Sequence, residues 1–117
     1  MTRSGAARLQ ERMCAALRSR DPAAAFRAIA DDPALDASLA AAVCAANARG
    51  VAITALIVAK LRFERLMNCS RVAIDWFERD GAAFARAFRA WHESTPPGAV
   101  SPAADARSFE AFVAREA

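Results

Sequence analysis

The chain has 117 residues, a net charge of +3, and 56% hydrophobic against 25% charged residues. That balance excludes a disordered polar tail, and the length fits one domain, expected over residues 1–117, able to bury about two thirds of its extended surface. Alanine dominates the apolar fraction, tyrosine is absent, and glycine (4) and proline (5) are scarce. Alanine is the best helix former but buries little area. The expected fold is therefore all-α, a compact single-domain bundle of about six to seven helices whose packing rests on a few large side chains.

In chain order, Asp21-Pro22, Asp32-Pro33 and Ser101-Pro102 each set a capping side chain before a proline, marking three helix starts. A first helix is expected near 4–19, with Leu9, Met13, Ala16 and Leu17 on one stripe, and a short second one near 22–30 carrying Phe26 and Ile29. A third is expected from about 33 to 49. There Leu35, Leu39, Ala42, Val43 and Ala46 recur at helical spacing, and Arg49-Gly50 supplies a terminating cation and glycine.

The segment of about 51–67 differs, because Val51, Ile53, Leu56, Ile57 and Val58 surround the whole circumference. A helix apolar all round is a buried one, so this is expected to be the buried central helix of the bundle. Its second half sets Leu61, Phe63, Leu66 and Met67 among Lys60, Arg62, Glu64 and Arg65, and should emerge from the core. The β-branched residues would also suit a strand, but no second strand exists to pair with it.

Asn68-Cys69-Ser70 breaks the pattern before a short helix near 71–78 with Val72 and Trp76, and Asp80-Gly81 punctuates. The next helix, about 81–93, carries Phe84, Phe88 and Trp91 as an inward stripe. Pro96-Pro97 forces extended backbone, so about 95–101 is a linker to a C-terminal docking helix near 102–115 with Phe109, Phe112 and Val113 on its docking face. Arg20-Asp21-Pro22-Ala23-Ala24-Ala25-Phe26 resembles Arg79-Asp80-Gly81-Ala82-Ala83-Phe84. Coincidence in an alanine-rich chain and a duplicated helical hairpin are the two readings.

Charge alternates along the chain: +4 over residues 1–20, −2 over 21–50, +3 over 51–92 and −2 over 93–117. Such alternation suits a protein partner or self-association better than a nucleic-acid footprint. All basic residues but Lys60 are arginine, which a GC-rich genome explains as readily as phosphate recognition does. Cys14, Cys44 and Cys69 are odd in number and lie among apolar residues, and are expected to be free buried thiols of a cytoplasmic protein. The start lacks the apolar core of a signal peptide, and the run Val51 to Ala59 falls short of the roughly 20 residues that cross a bilayer, so no membrane role is expected.

The residues assign no catalytic site, metal or cofactor. His92 is the only histidine, no Cys-x-x-Cys pair exists, and the four glycines stand isolated at 5, 50, 81 and 98. His92 is read as a helix C-terminal residue complementing the dipole. The carboxylate pairs Asp31/Asp32, Asp75/Glu78 and Glu78/Asp80 read as a cap and solvated faces. Lys60 and Glu64, at i and i+4, form either a buried pair lining a polar pocket or, as expected, an exposed pair where the central helix leaves the core.

The function expected is a small non-enzymatic helical protein–protein interaction module with an adaptor, immunity or chaperone-like role. Segregated charge and surplus aromatics in the C-terminal half support it. The candidate partner-binding residues are Lys60, Arg62, Glu64, Arg65, Trp76, Arg86, Arg89, Trp91 and His92. One alternative is a small apolar ligand or cofactor held between helices near Phe63, Met67, Trp91 and His92. Another is nucleic-acid binding through a ridge of Arg62, Arg65, Arg71, Arg79, Arg86 and Arg89, although Glu64, Asp75, Glu78 and Asp80 interrupt that field.

Overall fold

A computed structural model describes residues 5–97 and 101–116, and among these it contains seven α-helices and no strand. The helices are α1 (Gly5–Arg18), α2 (Pro22–Ile29), α3 (Ala37–Cys44), α4 (Ala48–Cys69), α5 (Arg71–Arg79), α6 (Gly81–Ser94) and α7 (Pro102–Glu116). The all-α class is as expected, and residue 4 of the first predicted helix lies outside the described residues.

Short polar side chains set most of the boundaries. Asp21 Oδ1 accepts from the Ala24 amide at 3.1 Å, with Pro22 opening α2, and Asp80 Oδ1 accepts from Ala83 at 3.1 Å at the start of α6. The two similar segments thus share one capping device. Ser70 Oγ accepts from Ala73 at 3.1 Å to open α5, and Ser101 Oγ accepts from Ala104 at 3.3 Å to open α7. Each satisfies an amide that the first helical turn leaves without a partner.

The third predicted start is displaced. Asp32 Oδ1 accepts from the Ala34 amide at 3.0 Å, closing a local turn, while its other oxygen pairs with Arg12. The helix begins only after Asp36, whose Oδ1 accepts from Ser38 at 2.7 Å. An aspartate can close a turn on its own backbone as readily as it can cap a helix. Arg49-Gly50 does not end a helix either. Asn47 Oδ1 accepts from the Gly50 amide at 3.1 Å, so the glycine lies in the first turn of α4. After Ser94, Thr95 is extended (φ −129°, ψ 116°) and Pro96-Pro97 follow, as expected of the linker; its residues 98–100 lie outside the described residues.

The chain forms two compact units, Met1–Val58 and Ala59–Ala117. In the first, α1 packs on α2 and α2 on α3. Its buried core is Ala16, Phe26, Ile29, Val43 and Val51, ringed by half-buried Leu9, Met13, Leu17 and Leu35. In the second, α5 packs on α6 and α6 on α7. Its core is Leu66, Ala73, Phe84, Trp91, Ala106 and Phe109. Phe84 is the hub there, with ring centroids 5.6–6.2 Å from those of Phe63, Trp76, Phe77, Phe88 and Phe109.

Two expectations are corrected. Helix α4 is not buried all round: it buries Val51 and Ala55 in the first unit and Arg62 and Leu66 in the second, while Ile53, Leu56, Ile57 and Leu61 are 48–67% exposed. Apolar residues around a circumference announce burial only where neighbours cover every side, and these four stay in solvent. No single described helix is long and apolar enough to cross a membrane. The cysteines are free, as expected, but all three are exposed. The inward stripe of α1 runs through Met13, Ala16 and Leu17 rather than Cys14, and Cys44 and Cys69 are the last residues of α3 and α4.

Candidate functional site

The second unit holds a polar cluster inside its aromatic core. Arg62, on α4, donates from Nε to Asp105 Oδ2 at 3.1 Å and from Nη2 to Oδ1 at 3.2 Å, a bidentate pair with an aspartate of α7. Its Nη1 donates to the Thr95 carbonyl at 2.7 Å and faces His92 Nδ1 at 3.2 Å. The guanidinium carbon lies 3.8 Å from the centre of the Trp91 ring. Because a guanidinium only donates, His92 Nδ1 is the acceptor of that bond. The imidazole stacks on Phe88 with centroids 5.6 Å apart, and Trp91 Nε1 donates to Ser108 Oγ at 3.1 Å.

Arg62, Trp91 and His92 are 4%, 0% and 0% exposed, which corrects their expected place on a partner-binding surface. Planar stacking and a fork-shaped carboxylate contact let an arginine be desolvated where a lysine would not be. His92 does sit in the last turn of α6, as expected, and there it is fully buried, with Nδ1 accepting from Arg62.

Among the described residues of this unit there is an open groove of about 810 Å³ among α5, α6 and α7. Helix α5 lines it with Val72, Asp75, Trp76 and Arg79, spaced i, i+3, i+4 and i+7, so one whole face of the helix is presented. Helix α7 contributes Phe112, Val113 and Glu116. Helix α6 contributes Arg86 with Ala87 and Ala90, and these two alanines explain the space, since a methyl group reaches little of the gap between larger neighbours. The volume lies within the ~300–1,000 Å³ typical of binding clefts.

Trp76 is half-buried and held in place by Phe84 and Phe109, at 6.0 and 6.5 Å between centroids, whereas Val72 is 49% exposed. Asp75 Oδ1 pairs with Arg71 Nε at 3.3 Å. Among the described residues no carboxylate lies within ion-pair distance of Arg79 or Arg86.

Of the sequence candidates, Trp76 and Arg86 come together in this groove. Lys60 and Glu64 form the expected surface pair, 3.8 Å apart with side chains 76% and 52% exposed. Arg65 and Arg89 are exposed and do not line the groove. The arginine ridge loses Arg62 to the core, and its Arg71 is paired with Asp75. Sequence reasoning did not place the other eight lining residues in a groove: Val72, Phe112 and Val113 were expected on packing faces, and Asp75, Arg79, Ala87, Ala90 and Glu116 were not expected there; the stripe at 72, 75, 76 and 79 carried a usable signal, while two alanines in an alanine-rich helix carried none. Among the described residues, no three His, Cys, Asp or Glu side chains gather as a metal site would need. No protein-family model, no curated protein and no solved structure matches the chain.

Proposed function

We propose that the protein is a non-enzymatic helical interaction module that receives a partner protein in the groove of its second unit. The groove itself carries this reading. A fixed tryptophan, exposed or half-exposed aliphatic and phenylalanine side chains and flanking arginines are the composition of interface anchor sites. Its three walls are helices, so a fourth helix laid along it would complete a local bundle, a common mode of peptide recognition. The aliphatics exposed on α4 are further apolar surface of the kind that marks contact sites.

Ala90→Trp tests the reading, because it fills the groove from an exposed position and removes no core contact. Wild type and variant are used as bait in lysate of the source cells, and captured proteins are quantified. A partner held by the wild type and lost from the variant is expected. Identical capture by both would overturn the assignment.

A further inference from the structure

Resting on the groove as the interaction surface, we infer that its occupant is an amphipathic helix whose polar flank is acidic. The walls themselves limit the shape. The α5 face repeats at i, i+3, i+4 and i+7, and Arg86 with Ala90 on α6 and Phe112 with Glu116 on α7 repeat at i and i+4, so ridges and depressions follow helical spacing. A helix with apolar residues at that spacing meets Trp76, Ala90 and Phe112 with its anchors, and its borders then face Arg79 and Arg86.

Charge decides the sign of those borders. Asp75 is engaged by Arg71, so it offers a guest cation little. Arg79 and Arg86 project at the groove with no carboxylate in ion-pair range among the described residues, and Glu116 is the one opposing charge on the lining that no arginine takes up. A guest with aspartate or glutamate beside its apolar stripe supplies partners for both arginines, whereas a lysine-flanked guest faces them with a like charge and finds only Glu116 to pair with. Two exposed ion pairs of ordinary strength separate the two guests by about tenfold in affinity.

The test uses the full chain and two fluorescein-labelled helical peptides of about 15 residues, some 22 Å of helix. They share one Leu-rich stripe and differ only in having Glu or Lys at the flanking positions. Fluorescence anisotropy is expected to show the Glu peptide binding about tenfold more tightly at low salt, with the preference reversed by Arg79→Glu/Arg86→Glu and both peptides lost on Ala90→Trp. Equal affinities on the wild type, both abolished by Ala90→Trp, would overturn the acidic guest and leave the groove standing. Failure of both peptides to bind, or binding that Ala90→Trp leaves unchanged, would overturn the groove reading with it. Circular dichroism of each variant confirms that it is folded.

Discussion

Substituting Arg62 tests the packing of the second unit most severely, because one side chain joins α4, α6 and α7. Arg62→Met keeps much of the volume but removes the cation from beside a buried carboxylate, together with the hydrogen bond to the Thr95 carbonyl and the stack on Trp91. Breaking a buried pair by deleting one partner costs about 3–5 kcal/mol, most of it from the charge left behind. That is a large share of the ~5–15 kcal/mol by which a domain is stable. Arg62→Lys retains a charge without the fork or the flat face, and the loss should be about 1–3 kcal/mol. The double variant Arg62→Met/Asp105→Leu removes both charges and should be more stable than Arg62→Met alone, with a coupling of at least about 2 kcal/mol. Urea unfolding followed by tryptophan fluorescence is the assay, since Trp76 and Trp91 both belong to the second unit. With a denaturant slope of about 1–2 kcal/mol/M, Arg62→Met lowers the midpoint by roughly 1.5–5 M or leaves the unit unfolded. A drop under about 0.5 M, or additive effects in the double variant, would show that the Arg62–Asp105 pair does not hold the unit together.

Other positions give graded expectations. Phe84→Ala removes the aromatic hub and should cost about 3–5 kcal/mol, whereas Phe77→Ala, at a ring 45% exposed, should cost about 1–2 kcal/mol; equal losses in chemical denaturation would contradict the packing. Ser70→Ala deletes the cap of α5 and the 3.3 Å bond from Ser70 Oγ to Glu110, with an expected loss of about 1–2 kcal/mol against the wild type. Hydrogen bonds from the Ala34 amide to Asp32 and from the Ser38 amide and hydroxyl to Asp36 hold both carboxyls below their ordinary value of 3.8. The folded state therefore binds these protons less readily than the unfolded one, so the stabilisation is complete above that value and lost as pH falls through the lowered ones. NMR titration should place both midpoints below 3.8, and a midpoint at or above it would remove the effect.

Much of this fold is legible from residues that act locally. Asp21, Asp80 and Ser101 cap helices within three residues of themselves, and the stripe of Phe84, Phe88 and Trp91 has one amphipathic solution. Asp32-Pro33 misled because a turn at Ala34 and a helix start compete for the same carboxylate, and nothing local shows that Arg12, twenty positions earlier, takes its other oxygen. The exposure of Ile53, Leu56 and Ile57 was not legible, since hydropathy describes a helix without saying how many neighbours it has. The same limit applies to the site. Arg62 looks like any surface arginine until Asp105 and Trp91 are brought to it from 43 and 29 positions away, and a groove made by the smallness of Ala87 and Ala90 leaves no mark in a chain full of alanine.

If a partner meets the chain among α5, α6 and α7, site-specific photocrosslinking reads the contact directly. A benzoylphenylalanine placed at Val72, on the exposed edge of the groove, and one placed at the exposed Arg107, outside it, are compared in the source cells. Discrete adducts from position 72 and none from position 107 are predicted; the same adducts from both, or adducts from 107 alone, would contradict a partner in the groove.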